Sequence, residues 1–197
     1  MEKLSSILTS YLIRKNIITT EQSCIYQYGF HIGLEVCLNT IISILIAVLC
    51  HMEWEAVVFF AVFMLLRAYA GGLHLNTYIS CLISSCISLL VLLLIVKYID
   101  IDNSLSLGIM CISLLLVKFL SPVQDINRPL TPDEIKKFDK KLNYSIVGIV
   151  ILAVTFYFFQ LDKLLMMISV TTLFMVCVLI LGKFNYEKCV RKSRRSN

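Results

Sequence analysis

The sequence predicts an all-α polytopic integral membrane protein: six transmembrane helices plus an N-terminal amphipathic helix, both termini cytoplasmic. Three observations lead there. Of the 197 residues, 58% are apolar and 16% charged, against about 45–50% and about 25% in soluble domains, and the mean hydropathy is +0.84. The apolar residues gather in runs near the roughly 17–25 residues that a helical crossing needs. The basic residues collect in alternate connections, the bias that orients a membrane chain. Because lipid offers backbone groups no partner, every crossing must be helical.

Residues 1–20 read as an interfacial helix. Leu4, Ile7, Leu8, Tyr11 and Leu12 recur at helical spacing, with Lys3, Ser6, Thr9, Ser10 and Arg14 between them. A helix packed on the cytoplasmic ends of the bundle fits the same pattern. No cleavable signal peptide is expected, since the segment opening Met1-Glu-Lys-Leu-Ser-Ser is amphipathic and no short apolar core follows it. A six-helix bundle then occupies 28–181. Its spans run from Tyr28 to Cys50, Glu55 to Tyr69, Thr77 to Val96, Ser104 to Leu120, Tyr144 to Gln160 and Leu164 to Leu181. Several are near the short limit, so tilt or local thinning is expected. Residues 182–197 form a basic cytoplasmic tail, and the whole chain is one membrane domain.

Sixteen of the eighteen lysines and arginines fall in the N-terminal segment, beside the second span, in 118–141 and in the tail. The opposite side holds Lys97 and Lys163 beside Glu53, Glu55, Asp100, Asp102 and Asp162. An even number of spans with both termini cytoplasmic satisfies every connection at once.

The connection from Ser121 to Lys141 contains all three prolines, Pro122, Pro129 and Pro132. Thr131-Pro132-Asp133-Glu134 reads as a helix start, with Thr131 as cap and proline in the first position. A short helix bearing Lys136, Lys137, Lys140 and Lys141 should follow. Its charge serves membrane orientation, or makes a landing surface for an acidic partner or anionic lipid.

The eight cysteines are scattered, with no CxxC pair and no Cys/His metal spacing. Apart from Cys81 they are expected to be small buried hydrophobes. Cys81 differs because it follows Arg67-Ala-Tyr-Ala-Gly71-Gly72-Leu-His74 by seven residues. A base and a thiol are the minimum parts of a cysteine nucleophile. A straight helix would separate them by about 10.5 Å, whereas the hydrogen bond between them needs about 3 Å. His74 must therefore sit on a loop that folds back, using the backbone freedom of Gly71 and Gly72. Asn76 or Thr77 caps the following helix. Cys81 then lies just past its first turn, where the helix dipole and a protonated histidine favour the thiolate.

Plainer readings exist for each residue. A boundary histidine can be an interfacial polar group, a cysteine in a span can be packing, and Arg67 can simply snorkel. His31, His51 and Glu35 are further polar groups at or in the spans, with nothing nearby in sequence to complete a constellation. Asn76, Gln124 and Asp125 are candidates to orient His74 or line an oxyanion site.

The pattern R-x-x-x-G-G-x-H with Cys seven residues later resembles the accessory gene regulator B (AgrB) family, bacterial membrane cysteine endopeptidases that process quorum-sensing propeptides. The resemblance extends to Tyr28-Gly29, to the six-span layout, to Ser121-Pro122-Val123 and to Asn127-Arg128-Pro129-Leu130. It implies that Cys81 is the nucleophile and His74 its general base, with Arg67, Gly71, Gly72 and Asn76 supporting the site. The substrate it implies is an AgrD-like propeptide with an amphipathic leader, a short signal segment and an acidic tail. Cys81 would cut between signal and tail, and a thiol or hydroxyl of the substrate would then close a thiolactone or lactone ring on the thioester. Arg128, Lys136, Lys137 and Lys140 would meet the acidic tail. The resemblance also admits a homodimer. No metal or organic cofactor and no nucleic acid is expected; the lipid bilayer is the other partner.

Two other classes fit the composition. A small-peptide membrane transporter would use the polar groups His31, Glu35 and Arg67, although no internal repeat or pair of Gly/Pro-broken spans is visible. A scaffold would bind an acidic partner through residues 128–141.

Overall fold

Helices answer the backbone's demand for partners in an apolar medium, and they account for most of the described residues. A computed structural model describes residues 2–15, 17–19, 22–72, 78–123 and 131–195. Among the described residues seven α-helices follow one another: α1 Glu2–Arg14, α2 Ser23–Cys50, α3 Glu53–Ala70, α4 Tyr78–Tyr98, α5 Asn103–Leu120, α6 Pro132–Phe158 and α7 Asp162–Arg195. The described residues contain no strand. Five helices, α2, α4, α5, α6 and α7, are long and apolar enough to cross a membrane, so the chain is a multi-pass membrane protein. The 18-residue α3 carries Glu53, Glu55 and Arg67, and this charge sets it apart from those five.

Two junctions differ from the sequence expectation. The helix starting at Thr131 and the fifth span are one continuous helix, because neither proline nor glycine interrupts Asp133 to Tyr144. Its start is as expected: Thr131 Oγ1 accepts from the Glu134 N–H at 3.4 Å, and Glu134 Oε2 accepts from the Thr131 N–H at 3.0 Å, a reciprocal capping box. The last span likewise does not stop near Leu181. α7 continues to Arg195, and its 34 residues extend about 51 Å, well beyond the roughly 30 Å of a hydrocarbon core.

Three short connections meet at one end of the bundle, the turn end. Lys97 Nζ donates to the Cys50 carbonyl at 2.9 Å, and Lys163 Nζ to the Lys97 carbonyl at 3.3 Å. Asn103 Nδ2 donates to Asp162 Oδ1 at 2.6 Å. His51, in the left-handed conformation, ends α2 here. The opposite, loop end holds the last turn of α3, the first turn of α4 and the start of α6. There Lys118 pairs with Asp139, the Tyr69 and Phe138 rings lie 6.4 Å apart, and Lys141 Nζ is 5.6 Å from the Tyr69 ring.

α7 is the axis of the bundle. Its Leu165, Met167, Ile168, Met175 and Leu179 are fully buried against α5 and α3, which contribute Met110, Val117, Val62 and Leu66. Ser106, Ser113, Ser169 and Thr172 are also buried, and Ser169 Oγ donates to the Ser106 carbonyl at 2.7 Å. Small side chains of this kind let two helix backbones approach closely in lipid. α2 is far less enclosed, burying Ser43, Ala47 and Cys50. α1 packs along α2 and turns Ser5 and Thr9 inward, while Leu4, Ile7 and Tyr11 stay exposed. Its apolar side thus remains available to an interface while its small residues contact protein.

The cysteines depart from expectation. Cys50 is buried, Cys86 half-buried, and Cys24, Cys37, Cys81, Cys111 and Cys177 are exposed on the bundle. In an apolar solvent a small thiol is as well placed facing outward as inward, so burial does not follow from polarity here.

Thr131→Ala removes the capping box that starts α6. A loss of about 1 kcal/mol is expected, read as a lower thermal midpoint of the detergent-solubilised protein.

Candidate active site

The loop end is organised by the two glycines that follow α3. Gly71 has φ of 79° and donates its N–H to the Arg67 carbonyl at 3.3 Å, closing the helix. It also forms a parallel bridge with Val123, whose N–H donates to the Ala70 carbonyl at 2.9 Å. A Cβ at Gly71 would collide with the Val123 carbonyl oxygen, so only glycine permits this approach. Gly72, at φ of 145°, serves a different neighbour. A Cβ there would collide with Arg67 Nη1 and press on Val178 of α7. One glycine admits a backbone and the other admits a guanidinium.

Arg67 is therefore turned inward rather than snorkelling away. It is half-buried, lies against Gly72, and holds its Cζ 5.9 Å from the Phe63 ring, within cation–π range. α4 begins at Tyr78, which puts Cys81 in its first turn, exposed. Arg67 lies close enough to Cys81 for the two side chains to interact electrostatically. The structure thus brings together Arg67, Gly71, Gly72 and Cys81. His74, Asn76, Gln124, Asp125 and Arg128 lie outside the described residues.

Lys136, Lys137 and Lys140 are exposed on the first turns of α6, within an arc of roughly 100° that also includes Asp133. The opposite side of the same turns carries Phe138 and Leu142 toward the bundle. His31 and Glu35, without evident partners in the sequence, partner each other: His31 Nε2 lies 3.0 Å from Glu35 Oε1 one helical turn on. His51 stands at the turn end, away from Cys81.

Sequence reasoning missed the contribution of Val123, because its role is carried by backbone atoms. The one available signal was Ser121-Pro122-Val123 within the motif set, where proline holds the preceding residue extended. Ser121 has ψ of 154°.

Comparison with known proteins places these residues in context. A family model described as accessory gene regulator B matches residues 5–181. A protein of Clostridium perfringens (strain SM101 / Type A), described as AgrB-like, is 26% identical over 156 residues, covering 76% of this chain and 73% of the relative. No solved structure matches.

Gly71→Ala should cost about 1–3 kcal/mol, from a positive-φ extended backbone that essentially only glycine adopts, and open the contact with Val123. Gly72→Ala should displace the Arg67 side chain with a smaller loss of stability. Thermal midpoints together with the reactivity of Cys81 toward a small alkylating reagent separate the two effects.

Proposed function

Because the chain belongs to the accessory gene regulator B family, whose members take part in quorum-sensing peptide processing, we propose that it is a membrane cysteine endopeptidase acting on an AgrD-like propeptide. The observation that supports the reading is the exposed Cys81 in the first turn of α4, beside the turn where Gly71 and Gly72 follow the half-buried Arg67.

In this reading six helices cross the cytoplasmic membrane. α3 packs among the five apolar helices, so its charges lie at its two ends, Glu53 and Glu55 at one and Arg67 at the other. The loop end is cytoplasmic, since it carries Lys118, Lys136, Lys137, Lys140 and the basic end of α7. Both termini share that side. The cytoplasm keeps Cys81 reduced.

Cys81 attacks the peptide bond between signal and tail, with His74 taking its proton and returning it to the departing amine. The tail leaves, and the signal segment stays bound to Cys81 as a thioester. A thiol or hydroxyl of the same substrate then attacks the thioester, giving the thiolactone or lactone. A site at the membrane boundary keeps water scarce, which favours the internal nucleophile over hydrolysis. Arg67 stabilises the sulfur each time it bears charge. Lys136, Lys137 and Lys140 attract the acidic tail of the substrate. All described spans are continuous helices, which fits a peptidase scaffold better than a transporter built on broken helices.

Cys81→Ala should abolish release of the tail from a propeptide encoded beside this protein, and mass spectrometry of the parent should show an acyl adduct on Cys81. Cleavage persisting in Cys81→Ala would sink the mechanism. Reversing charge at Lys136, Lys137 and Lys140 should raise the KM for the propeptide severalfold, an effect that shrinks as salt rises, with kcat little changed.

A further inference from the structure

α2 is the helix that brings most polarity into the membrane region. His31, Glu35, Asn39 and Ser43 recur every fourth residue and so share one face. That face is turned to protein. Ser43 is buried, His31 and Glu35 are half-buried, and Asn39 Oδ1 accepts from Ser85 Oγ of α4 at 2.7 Å. An ionisable pair inside a membrane helix is costly and points to a function.

Two contacts set the register between α2 and α4. Ser85 meets Asn39, and toward the turn end Lys97 meets the Cys50 carbonyl. The lengths of chain between these contacts are nearly equal on the two helices, so the helices run parallel and in step. One turn from Asn39 toward the loop end stands Glu35. One turn from Ser85 in the same direction stands Cys81. Glu35 is therefore level with Cys81, on the facing helix.

The pair has the form of a base with its orienting group. His31 Nε2 lies 3.0 Å from Glu35 Oε1, the geometry of an N–H donated to a carboxylate. The other ring nitrogen, Nδ1, is buried and has no hydrogen-bond partner among the described residues. With the proton on Nε2, Nδ1 presents a lone pair that nothing among the described residues uses. A nucleophile, a base, and a third group holding the base is the recurring logic of covalent catalysis. Here that logic is displaced by one helix from the histidine that precedes Cys81 in sequence.

We propose that His31 is a second catalytic base, serving ring closure, and that Glu35 is its positioning residue. This rests on the endopeptidase reading above and assigns the second half of that reaction. Once the tail has left, the thiol or hydroxyl of the substrate gives its proton to His31 Nδ1. Its sulfur or oxygen bonds to the acyl carbon. The bond from that carbon to Cys81 Sγ breaks, and Sγ leaves as a thiolate facing Arg67. His31 then returns the proton to Cys81. Nothing is oxidised or reduced. The transient imidazolium forms beside the Glu35 carboxylate, so no isolated charge is left in an apolar setting.

The test separates the two half-reactions. Purified protein and a synthetic propeptide are mixed under single-turnover conditions, and tail release, Cys81 adduct and ring product are followed by mass spectrometry. His31→Gln should slow ring formation about 100-fold, the lower range for loss of a general base, and let the Cys81 adduct accumulate after tail release. Added imidazole should restore ring formation in His31→Ala. Glu35→Gln should slow the same step by a smaller factor, with partial recovery in Glu35→Asp. Ring formation at the parental rate in His31→Gln would overturn the proposal. So would equal slowing of both steps that imidazole does not relieve, since that marks a structural role. A parent protein that forms no Cys81 adduct counts instead against the endopeptidase reading, a separate result.

Discussion

The hydrogen bond from the Val123 N–H to the Ala70 carbonyl, with the bridge it makes to Gly71, joins two connections that are far apart in sequence. It ties the end of α3 to the chain leaving α5, and so sets where the chain leaves α3 on its way to α4. The contact exists because Gly71 lacks a side chain. Once that backbone is placed, Gly72 lies under the Arg67 guanidinium, and Arg67 faces Cys81. The position of Arg67 beside the candidate site thus depends on a close backbone approach between two connections.

A half-buried arginine near the end of an apolar helix is costly unless its charge is used. Here the Phe63 ring and the space left by Gly72 receive it, with Cys81 nearby. The surrounding helices pack against this arrangement. Tyr69 is one turn or less from both Arg67 and Gly71, and it is clasped by Phe138 and Lys141 of α6. Lys118 and Asp139 fasten the same turns of α6 to α5. The basic face of α6 is therefore presented by a helix fastened to both α3 and α5.

Much of this was legible without coordinates. The apolar runs located the helices, the Thr131 capping box marked the start of α6, and the motif around Gly71, Gly72 and Cys81 marked the candidate site. What the runs concealed was continuity. A lysine-rich helix and the span after it look like two elements by hydropathy, yet helix propensity does not fall between Asp133 and Tyr144, and α6 is unbroken. The basic end of α7 is also helical, continuing through Gly182 to Arg195. Cysteine burial was misjudged because a rule made for water was applied to a chain whose solvent is apolar.

By itself the sequence determined the all-helical membrane class, the segregation of basic residues to one end, and the residue types available for thiol chemistry. These follow from length, polarity and spacing, which are properties of single segments. Only the tertiary structure decided that Val123 would seat on Gly71, that Arg67 would turn inward, and that the helical turn carrying His31 and Glu35 would meet α4 across the seam where Ser85 bonds Asn39. Each of those is a matter of how separate segments meet. Register is set by which small residues let two backbones approach, and no single segment carries that information.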